Sequence, residues 1–339
     1  MRAVVLGGGA WGTALAVQLA RRFPEVIIWA RDEETVRAIN ENHENVVYFK
    51  GFKLPESIRA TADKQEAINV GSDGPDESVL VLLVVPTPAL ASVVSDLQLD
   101  SRHILVSCTK GILNDTLETP DAIIARATGG GSKHRTAFLS GPSFAKEVAE
   151  NQPTGVTIAS TNQNVAKEVQ SAMSTERFRC YTTDDVVGVE LGGALKNVVA
   201  LACGISDGLG FGANPRAMLI TRGLAEISLI ANKSGANPLT LAGLAGVGDL
   251  ILTCTSTLSR NYTVGYRIGK GEKLEDIVSS LGAVAEGVLT SRSAHELAVK
   301  LGVDCPVIAG IHKVIHLGED PLKVLKENMS RPLKEELMM

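Results

Sequence analysis

Over the first half of the chain, short apolar runs alternate with amphipathic stretches. The apolar runs lie at 3–6, 26–29, 79–85, 104–108, 136–139 and 156–159. Short apolar runs separated by helical patterns are typical of a mainly parallel sheet with helices on both faces, because parallel strands are buried on both sides. Clusters of Gly, Ser, Pro and Asp at 71–77 and 129–134 predict surface loops.

The pattern changes after about Asp185, where long segments become rich in alanine, leucine and glycine. The stretches 186–204 and 215–234 have the length and composition of helices. We therefore predict an α/β domain with a mainly parallel sheet over residues 1–187, followed by an all-helical domain over residues 188–339.

Composition and charge argue against several classes of protein. The chain has 339 residues, and its formal net charge of -5 gives no basic surface for binding nucleic acid. A long uncharged run at 79–95 is short for a membrane span and contains Pro86 and Pro88. Met1 and Arg2 lead directly into an apolar run, which leaves no room for a separate secretion signal, so we expect a cytoplasmic protein.

The cysteines and histidines indicate neither disulfide nor metal chemistry. The five cysteines stand singly, without a Cys-x-x-Cys pair, which favours free thiols in a reducing compartment. His312 and His316 have a helical spacing, but no other ligand set accompanies them, and we expect no metal site.

A glycine-rich sequence, G-G-G-A-W-G at 7–12, directly follows the first apolar run and directly precedes a helical pattern. In this G-x-G-x-x-G arrangement Gly7 permits a tight turn, Gly9 lets a diphosphate approach the backbone, and Gly12 lets the helix pack closely on the strand. The N–H groups at the helix N-terminus then receive the anion. The motif indicates that the first domain is a Rossmann-like dinucleotide-binding domain.

The end of the second apolar run bears on the choice of cofactor. An acid there hydrogen-bonds the ribose of NADH, whereas an arginine accepts the 2′-phosphate of NADPH. Arg31 and Asp32 stand side by side at this position. We slightly favour NADPH, and the alternative is that both residues cap the next helix.

Polar residues follow two later apolar runs, at the edge where parallel sheets bind ligands. Lys110 lies just beyond the run 104–108 and could pair with an anion or polarise a carbonyl, although a single lysine is usually only solvated. Gly141 and Ser143 follow the run 136–139. Ser143 is placed to cap a helix, whose N-terminus could also face a ligand.

Gly188, Gly192 and Lys196 recur every four residues and share one face of a predicted helix. Each interior glycine costs about 1 kcal/mol relative to alanine, which suggests that another group approaches this face closely. Either another helix or a substrate with its nicotinamide could do so. Burial would lower the pKa of Lys196 and make it a workable general acid for a carbonyl.

A further polar segment follows, with G-V-G-D-L at 246–250 and S-R-N at 259–261. Arg260 has the planar fork that suits a phosphate, and Ser259 and Asn261 add neutral hydrogen-bonding groups. These residues could form an anion pocket. The alternative is that Asp249 and Arg260 form a surface pair or cap neighbouring helices.

Together these motifs closely resemble those of the NAD(P)-dependent glycerol-3-phosphate dehydrogenases, in the family's order and over nearly the whole chain. The resemblance rests on the glycine loop and on the sequences at 108–111, 140–145, 190–197, 246–249 and 259–261. The sequences at 206–214 and 221–226 are most similar to the bacterial-type enzymes. The resemblance implies reversible reduction of dihydroxyacetone phosphate to sn-glycerol 3-phosphate with NAD(P)H, which supplies glycerophospholipid synthesis.

The resemblance also implies residue roles. Lys196 would be the catalytic proton donor or acceptor, Lys110 would contact both substrate and cofactor, and Asp249 would lie beside the two lysines. These three belong to the substrate-binding set, whose remaining members are Gly141, Ser143, Thr253, Ser259, Arg260 and Asn261. The cofactor set comprises Gly7, Gly9, Ala10, Trp11, Gly12, Arg31, Lys110, Ala145, Arg260, Val284 and Glu286. Ala10 replaces a serine of many relatives, so the backbone amides would have to suffice there.

Two other functions stay open on the sequence. A related two-domain hydroxy-acid dehydrogenase would use Arg260 and Asn261 to bind a carboxylate. The other is a sensor that binds NAD(P)H without turnover. In such a sensor the two lysines, the aspartate and the arginine would have no function. The alanine- and leucine-rich second half could present a dimer face, and we expect a homodimer.

Overall fold

The computed structural model describes most of the chain as two compact units. The described residues are 1–69, 78–129, 135–281, 285–333 and 335–336. The first unit comprises Met1–Thr109 and Pro120–Val186, and the second comprises Lys110–Thr119 and Val187–Met339. The short segment Lys110–Thr119 thus belongs to the second unit, which the sequence pattern did not indicate. The loops predicted at 71–77 and 129–134 lie, except for Gly129, outside the described residues.

The first unit is built on one sheet, for which the described residues give eight strands in the order β3-β2-β1-β4-β5-β6-β7-β8. The strands are β1 (Arg2–Leu6), β2 (Val26–Trp29), β3 (Ile58–Thr61), β4 (Val79–Leu83), β5 (His103–Ser107), β6 (Arg135–Ser140), β7 (Thr154–Ala159) and β8 (Phe178–Thr183). All neighbouring pairs are parallel except β6 and β7, which are antiparallel. The predicted mainly parallel sheet is therefore confirmed.

Seven helices of the first unit pack around this sheet in the described part of the chain. They are α1 (Ala10–Leu19), α2 (Glu33–Asn42), α3 (Lys64–Asn69), α4 (Thr87–Ser95), α5 (Pro120–Ala127), α6 (Ala145–Ala149) and α7 (Gln163–Met173). Helix α1 is buried from Gly12 to Leu19, because it lies in the core cluster with strands β1 and β2. A helix that is apolar all round can lie only in such a position.

The apolar runs of the sequence correspond to six strands, and the two strands that they miss are the edges of the sheet. Strand β3 alternates buried Ile58 and Ala60 with the exposed Arg59. Strand β8 alternates in the same way, with Phe178 and Cys180 buried. A strand at the edge of a sheet keeps polar side chains on its open side, so neither segment contains the continuous apolar run of a central strand.

The second unit is helical, as predicted. Its helices are α8 (Val186–Gly208), α9 (Ala213–Lys233), α10 (Asp249–Thr255), α11 (Arg260–Gly269), α12 (Leu274–Leu281), α13 (Glu286–Leu301), α14 (Pro306–His316) and α15 (Pro321–Met329). A 3₁₀ turn, Pro238–Ala242, and a π-helical turn, Leu244–Gly248, precede α10. Helix α8 has the length and the mean hydropathy, 1.6, of a membrane span, but 94% of its apolar stretch is buried inside the protein.

Close glycine contacts join α8 to α11. A Cβ added at Gly204 of α8 would lie 2.1 Å from the carbonyl oxygen of Tyr262, and one added at Gly265 of α11 would lie 2.2 Å from that of Leu201. Because no side chain fits at these glycines, the two backbones lie in direct contact. Helix α11 is therefore fixed in place along α8, the helix that carries Lys196.

Candidate functional site

The glycine-rich loop at 7–12 is a tight turn between β1 and α1. Gly7 has φ 136°, and a Cβ there would lie 2.2 Å from the carbonyl oxygen of Val84. A Cβ at Gly12 would lie 1.9 Å from the carbonyl oxygen of Gly7, because α1 packs directly on the turn. Neither position has room for a side chain. This agrees with the predicted tight turn at Gly7 and the predicted close packing of the helix at Gly12.

Gly9 differs from these two glycines. Its backbone is extended (φ -74°, ψ 178°), and, apart from Gly9 itself and its two chain neighbours, no described atom lies within 4 Å of the position that a Cβ would take. Gly9 is also the N-cap of α1 and makes no side-chain capping bond. The N-terminal amides of a ten-residue helix therefore lie beside open space, which is the arrangement that binds an anion.

Trp11, in the first turn of α1, supplies a second observation. Its indole Nε1 is buried and has no hydrogen-bond partner in the described part of the chain. A buried N–H without a partner is uncommon in folded proteins. The open space at Gly9 and this N–H group both fit a dinucleotide bound at the loop.

Arg31 and Asp32 follow strand β2 and behave differently. Asp32 is the N-cap of α2, and its carboxylate accepts hydrogen bonds from the Thr35 N–H at 2.8 Å and the Thr35 hydroxyl at 2.6 Å. These bonds lower the pKa of Asp32. Arg31 is exposed, and the described residues give it neither a hydrogen bond nor an ion pair. The capping alternative therefore applies to Asp32 and not to Arg31.

The turn after β6 contains Gly141, Ser143 and Ala145. Gly141 has φ 142°, and a Cβ there would lie 3.0 Å from the Cα of Val156. The hydroxyl of Ser143 donates to the carbonyl of Gly141 at 2.9 Å. Helix α6 begins at Ala145 with Phe144 as its N-cap, so the prediction that Ser143 caps this helix is wrong. The turn uses the hydroxyl to stabilise its own backbone instead.

A buried cluster of charges in the second unit joins three of the predicted residues. The Nζ of Lys196 on α8 donates to Oδ1 of Asp249 at 2.7 Å, and the Nζ of Lys110 donates to Oδ2 of the same carboxylate at 2.7 Å. Asp249 is 1% exposed and Lys196 is 6% exposed. One carboxylate thus holds two ammonium groups, one on each oxygen.

Burial and charge set the pKa values in this cluster. Desolvation is the largest effect on Lys196 and lowers its pKa to about 8, with a further lowering by Lys110 and a partial compensation by Asp249. Burial by itself would raise the pKa of Asp249, but the two lysines outweigh it, and the pKa is lowered. Asp249 is therefore an anion near neutral pH, and Lys196 can give up or take a proton there.

Thr253 also orients Lys196. Its hydroxyl accepts a hydrogen bond from the Nζ of Lys196 at 2.8 Å and lies 2.6 Å from the carbonyl oxygen of Asp249, to which it donates. The three N–H bonds of a lysine ammonium are its whole donor capacity. Two of them are used by Asp249 and Thr253, which leaves one for a ligand.

The sequence G-V-G at 246–248 brings Asp249 to this position. A Cβ at Gly246 would lie 2.1 Å from the carbonyl oxygen of Leu241, because the π-helical turn folds back on the 3₁₀ turn. Single π turns are rare and are often found at functional sites. The same turn explains Gly192 of α8, whose Cβ would lie 2.7 Å from the carbonyl oxygen of Ala245. At Gly192 the close neighbour is therefore protein, one of the two alternatives left open by the sequence.

The segment 259–261 begins helix α11. Ser259 is its N-cap and accepts a hydrogen bond from the Tyr262 N–H at 3.2 Å, while Arg260 is exposed. Asn261 is buried, and its Oδ1 accepts the Gly287 N–H at 2.9 Å. Since an N–H can only donate, this contact identifies the oxygen of the amide and leaves the Nδ2 group as the available donor.

Glu286 begins helix α13 and is electrostatically coupled to the same cluster. Desolvation raises its pKa, which the positive charges of Arg260, Lys110 and Lys196 partly offset. Val284, the other predicted residue of this region, lies outside the described residues.

Helix α13 contacts two segments that contain predicted site residues, 259–261 and the segment that begins with Lys110, and the sequence did not indicate either contact. Besides the Gly287 contact to Asn261, the hydroxyl of Ser293 lies 3.1 Å from the carbonyl oxygen of Ile112, in the segment that begins with Lys110. Ile112 is 3% exposed and belongs to the core of the second unit. The residues Gly287, Ser293 and Ile112 carry no motif, so only their contacts reveal them.

The strand order from β3 to β6 is that of the dinucleotide-binding α/β sheets, with a glycine turn after the first strand. With a buried lysine paired to a carboxylate in a helical second unit, these features define a two-part NAD(P)-dependent oxidoreductase.

Comparison with known proteins identifies the family. Residues 2–166 match the N-terminus, and residues 185–326 the C-terminus, of NAD-dependent glycerol-3-phosphate dehydrogenase. The chain belongs to this family, which confirms the resemblance inferred from its motifs.

Individual relatives agree over the full length. A protein from Myxococcus xanthus named glycerol-3-phosphate dehydrogenase (NAD(P)+) is 50% identical to the chain, and the match covers 99% of each protein. A protein of the same name from Anaeromyxobacter dehalogenans is 47% identical, and the match covers 99% of this chain and 100% of the relative. The crystal structure of glycerol-3-phosphate dehydrogenase from Coxiella burnetii is 36% identical, with a TM-score of 0.90, and covers 97% of this chain and 99% of its own.

Proposed function

We propose that this oxidoreductase reduces dihydroxyacetone phosphate to sn-glycerol 3-phosphate, reversibly, with NAD(P)H. The names of the full-length relatives support this reaction. The observation that carries it is the buried Lys196, held by Asp249 beside Lys110. When bound, NAD(P)H supplies the hydride that reduces the ketone carbon.

Lys196 is the proton donor in the proposed mechanism. Asp249 and Thr253 occupy two of its N–H bonds, so the third is directed by the geometry of the first two. A pKa of about 8 keeps a large share of Lys196 protonated at neutral pH, yet the proton is easily released. Lys196 gives this proton to the carbonyl oxygen as the alcohol forms, and takes it back in the reverse reaction.

Lys110 and Asp249 support that step. The second ammonium group adds positive charge where the alkoxide oxygen develops, a preorganised effect that is often the largest single contribution to catalysis. Asp249 fixes both lysines and offsets their mutual repulsion. Both lysines and Asp249 thus belong to the proposed substrate set.

Arg260 and Asn261 are proposed to bind the phosphate of the substrate. Arg260 stands exposed at the start of α11, and Asn261 has its Nδ2 donor left for an anion. Ser259 retains its hydroxyl hydrogen while its oxygen accepts from Tyr262. The remaining proposed contacts are Thr253, Gly141 and Ser143.

The cofactor is proposed to lie at the glycine loop, where Gly9 and Trp11 give the support described above. The full proposed set is Gly7, Gly9, Ala10, Trp11, Gly12, Arg31, Lys110, Ala145, Arg260, Val284 and Glu286. We propose NADPH as the preferred form, since Asp32 caps α2 while Arg31 has no partner among the described residues.

The first experiment measures the absorbance of NADPH, and separately of NADH, after addition of dihydroxyacetone phosphate to the purified protein. Unphosphorylated dihydroxyacetone is the control. We expect oxidation with the phosphate ester alone, because removal of the phosphate leaves buried donors of the pocket unpaired. No oxidation with either nucleotide, despite binding, would overturn the proposed reaction and favour the hydroxy-acid dehydrogenase or the sensor.

Substitution of Arg31 tests the cofactor preference. Loss of a charge-assisted hydrogen bond to the 2′-phosphate should raise the KM for NADPH in Arg31→Ser by about tenfold or more. The KM for NADH should change little. Equal changes for both nucleotides would remove Arg31 from the discrimination.

Three further expectations stay proposals. We propose domains at 1–187 and 188–339, a homodimer, and a cytoplasmic location. The five cysteines form no disulfide, in keeping with a reducing compartment. Light scattering of the purified protein at several concentrations tests the dimer.

A further inference from the structure

Asn45 is a fully buried polar residue that none of the motifs includes. It is 0% exposed and lies in the segment that follows helix α2. Its Nδ2 donates to the carbonyl oxygen of Gly8 at 2.8 Å and to the hydroxyl of Thr13 at 2.8 Å. Its Oδ1 accepts the Tyr48 N–H at 3.0 Å. Both amide hydrogens and the oxygen therefore have partners.

The orientation of this amide follows from its partners. The Gly8 carbonyl can only accept and the Tyr48 N–H can only donate, so the nitrogen must face Gly8 and the oxygen must face Tyr48. An aspartate would have the same size at this position, but it would turn a lone pair toward the Gly8 carbonyl.

The backbone around Asn45 is itself held in place. His43 has φ 48°, and its carbonyl accepts the Leu54 N–H at 2.8 Å. Glu44 pairs with Lys53 through a β-bridge, and its Oε1 accepts the Gly51 N–H at 2.7 Å. The segment 43–54 is thus a closed loop, and Asn45 projects from it as a fixed side chain.

The contact to Gly8 has a consequence for Gly9. The carbonyl of Gly8 and the N–H of Gly9 belong to one planar trans peptide, so they point in opposite directions. A hydrogen bond that fixes this carbonyl therefore also fixes the Gly9 N–H. On its other side Gly8 is confined by Ala30, whose Cβ would lie 2.7 Å from a Cβ added at Gly8. The second bond, to Thr13, ties the same amide to the first turn of α1.

We propose that Asn45 is a positioning residue for nucleotide binding, because it sets the orientation of the Gly8–Gly9 peptide that meets the diphosphate. This inference rests on the proposed binding of the dinucleotide at the glycine loop. Asn45 itself does not touch the nucleotide in this proposal. Its effect is on affinity for the nucleotide and not on the chemical step.

The experiment measures the dissociation constants of NADPH and NADH for the full-length protein by calorimetric titration, without substrate. Asn45→Ala should weaken binding roughly 5- to 100-fold, since it leaves a buried acceptor without its donor. Asn45→Asp should weaken it further, because two acceptors then face each other. With the nucleotide saturating, kcat and the KM for dihydroxyacetone phosphate should stay within about twofold of the wild type.

Asn40→Ala is the matched control. Asn40 lies on α2, and its amide also bonds the backbone twice, donating to the carbonyl of Ala60 at 2.9 Å and accepting the N–H of Ala60 at 2.8 Å. Its partner is strand β3 and not the glycine loop. Asn40→Ala should therefore lower the melting temperature and leave nucleotide affinity unchanged.

A third variant separates failure of this inference from failure of the proposed site. Gly9→Val places a side chain into the open space beside the loop, with a backbone conformation that valine adopts. If Gly9→Val binds nucleotide normally, the proposed site itself is wrong. If Gly9→Val loses binding while Asn45→Ala and Asn40→Ala bind alike, the positioning role is wrong. If Asn45→Ala does not fold, Asn45→Asp takes its place, because the aspartate keeps the bond from the Tyr48 N–H. Its nucleotide affinity is then compared with that of Asn40→Ala in the same way.

Discussion

The two units of this protein contain candidate sites of opposite construction. In the first unit the glycine loop offers backbone groups from six consecutive residues, 7–12, with open space at Gly9 and close backbone packing at Gly7 and Gly12. In the second unit the charge cluster is made of side chains, with Lys110 139 residues and Lys196 53 residues from Asp249. The first kind of site is local in the sequence, whereas the second exists only in the fold.

The two constructions also differ in energy. Backbone N–H groups at a helix terminus need no counter-charge to be folded into place. A buried ammonium group costs several kcal/mol to desolvate, and this cost is offset only by a close partner and further hydrogen bonds. The charge cluster is therefore stable only when the carboxylate and its hydrogen-bond partners are all present. The glycine loop needs only the open space at Gly9 to receive a ligand.

The largest expected effect separates chemistry from nucleotide binding. Lys196→Met removes the proposed proton donor and should lower turnover about 1000-fold, while the dissociation constant of NADPH stays within about twofold. Stopped-flow reduction and calorimetric titration measure the two quantities. Lys300→Met, at the exposed end of α13, is the control. Retained turnover would remove Lys196 from the mechanism.

The next effect concerns stability. Asp249→Asn leaves the buried ammonium group of Lys196 and the partly buried one of Lys110 without their carboxylate, and should destabilise the second unit by about 3 to 5 kcal/mol. Asp32→Ala in the first unit removes only an exposed helix cap and should cost far less. Urea denaturation of the two variants provides the comparison. Similar losses would show that the cluster is less dependent on its carboxylate than its burial indicates.

Two glycines of one loop should respond differently. Gly12→Ala places a Cβ 1.9 Å from a backbone oxygen, so we expect a loss of about 1 to 3 kcal/mol in the free energy of unfolding. Gly9→Ala meets no described atom and should change stability by less than about 1 kcal/mol. Thermal unfolding distinguishes the two. Equal losses would contradict the open space found at Gly9.

The smallest effect is a pH dependence that only one site should show. Oxidation of glycerol 3-phosphate needs unprotonated Lys196, so its kcat/KM should rise with pH and level off above about 8. Reduction needs the protonated form and should fall above the same pH. The affinity for NADPH should be flat between about pH 7.5 and 9, because the backbone groups of the loop do not titrate. A midpoint that Lys196→Met leaves unchanged would assign the titration to another group.

Much of the first unit could be predicted from the sequence. The six central strands have continuous apolar runs. The glycine loop lies between a strand and a helix, and in that position its spacing predicts a dinucleotide-binding turn. The edge strands β3 and β8 were missed because exposed residues interrupt their buried ones, so neither contains a continuous apolar run. The cap at Ser143 was misassigned because a serine hydroxyl can close a turn as well as begin a helix.

For the second unit the sequence identified residue types but not their arrangement. It indicated Lys196, Asp249 and Arg260 as candidates, but left open whether Gly192 faced a ligand or protein. The π-helical turn at Leu244–Gly248 and the contact from Gly287 to Asn261 have no sequence signature, and neither does the burial of Asn45 in the first unit. They depend on which segments are packed together.

The sequence by itself determined the six inner strands, the glycine loop and the family, because these depend on patterns within short stretches of chain. The tertiary structure alone decided that Asp249 holds two lysines, that Thr253 orients Lys196 and that Asn45 supports the loop. The physical reason is burial. Desolvation lowers the pKa of Lys196 and makes each of these hydrogen bonds necessary, and burial arises only when distant parts of the chain come together.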